Sequence, residues 1–303
     1  MIKAQSNGLN EGLGARAGRA AGGPTLDASR RAVLTPGAIV AAGLALLPAN
    51  GFAAEAANKV AAKYDVSFAG VDIGSFEFDS EVAGRNYRIH SMTQIKLLMG
   101  AFNWTARSVS EGRVARSVEP ASFDFSYNSN RKHYRSEVRF AKGSVEALNN
   151  KPPVRPSKKR VPLKPAELKG VMDPMSAIMA MTRGANRNPC SQNLDVFDGR
   201  MHFRLKLEPK GQREIAERGN SGQPRVGYVC RVRYMPIAGH KPSDGIKRMA
   251  TSDGIEVVLR PVPAADLFVP YQITVPTGYG TVSIVSRNIE IEGEQQQRIA
   301  LRY

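Results

Sequence analysis

From Tyr64 the apolar positions recur every second residue: Tyr64, Val66 and Phe68 alternate with Asp65, Ser67 and Ala69. A period of two marks a strand with one buried face. After a break at residues 70–74, Phe76, Phe78 and Val82 alternate with Glu77, Asp79 and Glu81, and a turn at residues 83–86 returns the chain through Tyr87, Ile89 and Ser91. The register that sets Val82 opposite Tyr87 brings Glu81 to Arg88 and Asp79 to His90, so opposite charges meet on the outer face of a hairpin. Carboxylates on such a face sit in water, which predicts a ladder of solvated ion pairs, with no raised carboxyl pKa, rather than a catalytic acid pair.

The alternation continues along the chain. Residues 104–110 predict a strand that turns at Glu111-Gly112, followed by strands carrying Phe123, Phe125 and Tyr127 and then Tyr134, Ser136, Val138 and Phe140. Leu194, Val196 and Phe197 lead into Asp198-Gly199, a two-residue hairpin signal because a tight primed turn needs positive φ at its centre; the return strand is residues 201–207. Residues 228–234, 255–259, 271–275, 282–284 and 289–291 bring the total to about a dozen strands of ordinary length.

Two stretches interrupt the pattern. Residues 149–170 hold seven basic residues, one acidic residue and five prolines, and predict an exposed, extended connection between two strand-rich halves. Asp173 as N-cap, Pro174 at the first helical position and Gly184 as stop predict one short helix, with Met175, Ile178, Met179 and Thr182 on one face. Such a methionine-rich face suits a core plug under a sheet, or a clasp for a lipid or peptide. The fold class is therefore all-β and mainly antiparallel: a curved or spiral half-barrel or a β-sandwich with one short helix, built from residues 55–303 as a single domain.

Of the 303 residues, 42% are hydrophobic and 23% charged, which excludes a disordered chain or a collagen-like fibre. The first 31 residues have no apolar periodicity, and the 16 apolar-rich residues at 32–47 are fewer than the roughly 20 that span a bilayer. They read as the core of a signal peptide covering residues 1–54, cleaved beside Gly51 to Ala54. Ser29-Arg30-Arg31-Ala32-Val33-Leu34 resembles a twin-arginine export signal, with ordinary Sec export as the competing route. Either route predicts a periplasmic protein of a Gram-negative bacterium. The two cysteines, Cys190 and Cys230, then predict one structural disulfide: they lack the C-x-x-C spacing of redox pairs, and four scattered histidines do not complete a metal site.

The chain carries 43 basic and 27 acidic residues, a formal charge of +16, of which residues 55–303 keep +13. Outside the cytoplasm, and without aromatic residues interleaved among the cations, nucleic acid is not the expected partner. Anionic lipid, lipopolysaccharide phosphates or an envelope protein fit better, with peripheral membrane contact through Lys151, Arg155, Lys158, Lys159, Arg160 and Lys164. The sequence contains no zinc-protease, nucleophile-elbow, P-loop or dinucleotide-binding motif, so no catalytic residue, metal or cofactor is assigned. An envelope-polymer hydrolase would need His90 or His202 beside Asp79 or Asp195. The reading preferred is a non-catalytic binding or scaffolding protein, with an apolar concavity lined by Phe76, Phe78, Phe123, Phe125, Val138 and Phe140; a purely structural interaction module is the further alternative.

Four phrases carry a family resemblance: Tyr64-Asp65-Val66-Ser67-Phe68-Ala69-Gly70-Val71-Asp72-Ile73-Gly74, Asp173-Pro174-Met175-Ser176-Ala177, Leu194-Asp195-Val196-Phe197-Asp198-Gly199-Arg200, and Cys230-Arg231-Val232-Arg233-Tyr234-Met235-Pro236-Ile237-Ala238-Gly239-His240. They resemble exported proteobacterial proteins of domain-of-unknown-function family 3108, over most of the chain after the leader. The resemblance implies periplasmic residence and an antiparallel β-architecture, similar to the curved half-barrel of lipoprotein-localisation carriers. It supplies no catalytic residues.

Overall fold

Alternation of buried and exposed side chains recurs along strand after strand, as in Ala62, Tyr64 and Val66 or Tyr134, Ser136, Val138 and Phe140, so one face of each is committed to an interior. The structure, a computed structural model, describes residues 57–97, 101–130, 132–184, 187–293 and 297–303; the predicted leader, 1–54, lies outside the described residues. Seven strands run as a meander: β1 (Ala57–Phe68), β2 (Val71–Ala83), β3 (Asn86–Leu97), β4 (Phe102–Val114), β5 (Val118–Ser129), β6 (Lys132–Ala141) and β7 (Ser144–Lys151). Helix α1 (Pro174–Thr182) follows. The second half comprises β8 (Gln192–Phe197), β9 (His202–Glu214), β10 (Val226–Ala238), helix α2 (Asp244–Thr251), β11 (Glu256–Val262), β12 (Leu267–Thr277), β13 (Gly280–Gly293) and β14 (Arg298–Arg302).

Both halves belong to one antiparallel sheet rather than to a sandwich of two. Strand β13 returns to pair with β1, which gives the order β7-β6-β5-β4-β3-β2-β1-β13-β12-β11-β10-β9-β8, with β14 paired to β13. The edges β7 and β8 are not bonded to each other, but the strap between them ties both. Gly170 donates to Gly143 O at 2.7 Å, Met172 to Asp195 O at 2.9 Å, and Phe197 to Met172 O at 2.8 Å. Helix α1 touches β4 and β5 in one half and β8 and β12 in the other, so the sheet curves round it. Ser176, Ala177, Met179 and Met181 are all buried; the helix is enclosed on more than the single predicted stripe.

The predicted hairpin register is present: Val82 pairs with Tyr87, Glu81 with Arg88 and Asp79 with His90. Three local expectations are corrected. Strand β4 continues through Glu111-Gly112, because Gly112 lies where β4 shifts register against β5 and its missing side chain admits the Tyr87 ring; a Cβ there would come 2.6 Å from the Tyr87 hydroxyl. Asp198-Gly199 belongs to a four-residue connection, since Asp198 Oδ1 accepts from Arg200 N at 2.8 Å and Met201 N at 2.7 Å and the ladder begins only at Phe197–His202. Residues 282–284 and 289–291 form one strand, β13, not two. The periodicity also missed β7, β14 and α2, whose N-cap Ser243 accepts from Ile246 N at 3.3 Å.

Cys190 and Cys230 are joined in a disulfide that ties the segment after α1 to β10. The interior also holds an ion pair: Arg260, fully buried, donates to Glu217 Oε2 at 3.0 Å, Pro224 O at 2.8 Å and the Tyr303 hydroxyl at 3.0 Å. It fastens the β9–β10 connection and the last residue to β11. Among the described residues no helix is long and apolar enough to cross a membrane.

Candidate functional site: an apolar cavity closed by helix α1

The position of α1 is set by its N-cap. Asp173, fully buried, accepts from Met175 N at 2.9 Å and Ser176 N at 3.0 Å through Oδ1, and from the Ser110 hydroxyl at 3.0 Å and the Ser176 hydroxyl through Oδ2. The Tyr87 hydroxyl closes the network 2.6 Å from Ser176 Oγ. Burial pushes the Asp173 carboxyl above its usual range, against the hydrogen bonds that favour the charged form. These contacts pin the start of α1 to β3 and β4, which aims its later turns across the sheet.

There the helix closes a cavity of about 410 Å³. Val60, Ala62, Tyr64 and Val66 of β1 and Phe76, Phe78 and Val82 of β2 form one wall; Leu267 and Val269 of β12 and Ile284 and Ile289 of β13 form another; Ile178, Met179 and Met181 of α1 close it. This volume lies in the range of small-molecule sites, about 300–1,000 Å³. Arg183 and Asp266, beside the C-terminal end of α1, are the charged groups among the lining residues. A second cleft of about 350 Å³ shares Phe76, Thr93 and Trp104 with the cavity and is walled by Phe125, Tyr127 and Tyr134, with the Arg200 guanidinium 4.9 Å from the Tyr134 ring centre.

The six apolar residues singled out from the sequence do not share one hollow. Phe76 and Phe78 line the cavity, whereas Phe123 and Phe125 line the neighbouring cleft. Val138 and Phe140 line neither; they pack with Val171 and Phe197 beneath the strap, which covers that part of the sheet with Leu163 and Leu168. Of the basic residues, Lys151, Arg155, Lys158, Lys159 and Lys164 are exposed. Arg160 is half-buried and donates to Gly239 O, holding the strap to the end of β10.

The histidine–carboxylate pairs are both present but differently placed. Asp79 faces His90 on the outside of the hairpin, and its carboxyl is raised by partial desolvation and by Glu77, contrary to the expectation of an unshifted ladder. His202 is 6% exposed, its Nε2 3.3 Å from Asp195 Oδ1 and its Nδ1 3.6 Å from Glu167 Oε2. Asp195 is simultaneously gripped by Arg204, whose Nε and terminal nitrogen lie 2.9 and 3.1 Å away. Neither His90 nor His202 lines the cavity. Among the described residues no group of three histidine, cysteine, aspartate or glutamate side chains is arranged to hold a metal ion.

Of this cavity, sequence reasoning named Phe76 and Phe78 of β2 and the helix, and missed the β1, β12 and β13 linings and the charged residues Arg183 and Asp266. Asp266 follows a short 3-10 turn with φ of 47° and carries no motif.

The arrangement is that of an antiparallel half-barrel curved round a single helix, with an apolar interior. The chain belongs to the family described as protein of unknown function DUF3108, whose model matches residues 63–285. Among solved structures, the crystal structure of a β-barrel-like protein of domain of unknown function DUF1849 from Brucella abortus is similar, with a TM-score of 0.49 and 10% identity over 78% of this chain and 99% of that one. No curated protein matches the chain.

Proposed function

We propose that this protein is a non-catalytic binding protein of the bacterial cell envelope, resident in the periplasm, that holds a lipid acyl chain or similar apolar ligand in the cavity beneath α1. The observation that carries the reading is the cavity itself: a volume of about 410 Å³ walled by aliphatic and aromatic side chains from four strands and a helix. Apolar surface of that kind gains roughly 25 cal/mol per Å² when an apolar ligand displaces water from it. The disulfide and the export-like leader support the compartment. Catalysis finds little support, since the buried His202–Asp195 pair lies away from the cavity and Arg204 occupies its carboxylate.

The exposed cations of the strap, Lys151, Arg155, Lys158, Lys159 and Lys164, give the protein a docking edge for anionic lipid. Native mass spectrometry and lipid extraction on protein purified from its host's periplasm test the ligand. A bound acyl species that disappears in an Ile284→Trp variant, which fills the cavity, is the expected result; an empty cavity, or a species retained unchanged by that variant, refutes the reading. Replacing the five strap cations by serine is expected to abolish salt-sensitive binding to phosphatidylglycerol vesicles, and unchanged binding removes the docking edge from the proposal.

A further inference from the structure

The charged groups that line the cavity are Arg183 and Asp266, and the cation is left without the partners such a residue ordinarily takes. Arg183 is the C-cap of α1, where a basic side chain commonly bonds the last helical carbonyls. Here other groups serve two of those carbonyls: the Thr182 hydroxyl, 3.0 Å from Ile178 O, also lies 3.2 Å from Met179 O, and Gln192 Nε2 donates to Met181 O at 3.0 Å. The Arg183 guanidinium itself forms no hydrogen bond or ion pair among the described residues, although the side chain is half-buried and lines the cavity.

Two charges act on it in opposite directions, Asp266 more strongly than Arg187, and the three groups together carry one net positive charge. Asp266 lies on the same stretch of wall, near enough to favour the charged guanidinium but not in an ion pair with it. Arg187 folds back alongside, donating to Arg183 O at 2.8 Å, and opposes that charge. Desolvation is the largest influence on Arg183 and pulls its pKa down. None of its nitrogens is both buried and unpartnered, so water serves its donors until an anion at this end of the cavity takes the water's place. A guanidinium takes a carboxylate or phosphate through two parallel N–H···O bonds, and charge-assisted bonds of this kind are about twice as strong as neutral ones.

We propose that the ligand is an anionic amphiphile, its hydrocarbon chain in the cavity beneath α1 and its carboxylate or phosphate head held by Arg183. The assignment rests on the cavity being a ligand chamber, and it adds the head-group class and the residue that selects it. Neutral and cationic amphiphiles of the same chain length fill the same space but leave the guanidinium unpaired.

The test compares dodecanoate, dodecanol, dodecyltrimethylammonium and acetate, each titrated against the full mature protein by displacement of a fluorescent apolar probe. Wild type is expected to bind dodecanoate about tenfold to a hundredfold more tightly than dodecanol, the ratio that one charge-assisted contact supplies. Dodecyltrimethylammonium should bind still more weakly, and acetate should not compete. Arg183→Gln is expected to bring dodecanoate down to the affinity of dodecanol while leaving dodecanol unchanged, and Arg183→Lys to keep the preference for the anion with an unchanged melting temperature. An Arg183→Gln protein that still prefers dodecanoate overturns the proposal while the chamber stands. Acetate competing as well as dodecanoate reduces the site to a small-anion site and overturns it too. If no amphiphile displaces the probe from wild type, the chamber reading itself has failed.

Discussion

Removing the Asp173 carboxylate isolates the device that holds α1 over the cavity. In Asp173→Ala the amides of Met175 and Ser176 lose their acceptor, which for an N-cap costs about 1 kcal/mol, within a range of about 0.5–2. The hydroxyls of Ser110 and Ser176, both fully buried, lose Oδ2, but they remain 3.1 Å from each other and Ser176 Oγ stays 2.6 Å from the Tyr87 hydroxyl. Three hydroxyls joined in a row leave one donor unsatisfied rather than two, at a further cost of about 1–3 kcal/mol. The expected loss is therefore about 2–4 kcal/mol, which in a chain of this size lowers the melting temperature by about 5–15 °C. Asp173→Asn keeps an oxygen for the two amides, and the hydroxyls can turn to accept from its NH2, so its loss should be under about 1.5 kcal/mol. Urea unfolding of the three proteins at neutral pH, with unchanged m values, measures both differences. An alanine variant within 0.5 kcal/mol of wild type, or an asparagine variant as damaged as the alanine one, would refute the argument that this network fixes the helix.

Three other outcomes follow from the same contacts. The disulfide closes a loop of 41 residues from Cys190 to Cys230, so Cys190→Ser with Cys230→Ser should lower stability by up to about 4 kcal/mol, read by urea unfolding without reductant. Gly199 has φ of 90° and an added Cβ would lie 2.0 Å from Ser136 Oγ, so Gly199→Ala should destabilise by more than the ~1 kcal/mol of left-handed strain alone, seen as a lower melting temperature. Burial alone would raise the Glu217 carboxyl, but hydrogen bonds from Ser221 and Arg260 outweigh it and hold the group below its usual range. Its stabilisation is thus complete above the unfolded-state value of about 4.3 and is lost as pH falls through the lower folded value. Acid unfolding of Glu217→Gln should lack that part of the pH dependence.

What could be read from the sequence was what depends on near neighbours. Period-two alternation at Tyr64–Phe68, Phe76–Val82 and Tyr134–Phe140 reports which face of a strand is buried, and the pairing of Val82 with Tyr87 follows from a short turn. The cap Asp173 and the first-turn Pro174 fixed the start of α1. Interrupted alternation hides an element: Ser286 and the register shift at Lys63–Tyr64 break the pattern of β13 into two segments, and β14 carries only Ile299 and Leu301 on its buried face.

The cavity was only half legible for a different reason. Inward orientation is a property of a strand, but sharing a hollow is a property of the assembled sheet, and here the two halves join only where β13 returns to β1 across more than 200 residues of sequence. Phe78 and Val138 carry the same alternation and are both buried, yet one lines the cavity and the other lies under the strap, because the strap crosses β6 and not β2. Arg183 is the sharper case. In the sequence it is a basic residue just past a helix, the most ordinary place for one, and its ordinary role is to bond the helix end. Only the side chains of Thr182 and Gln192, which take that role instead, set its guanidinium apart, and both contacts depend on how the chain turns after α1. A head-group site formed in this way can be recognised only after the hydrogen bonds around it have been accounted for.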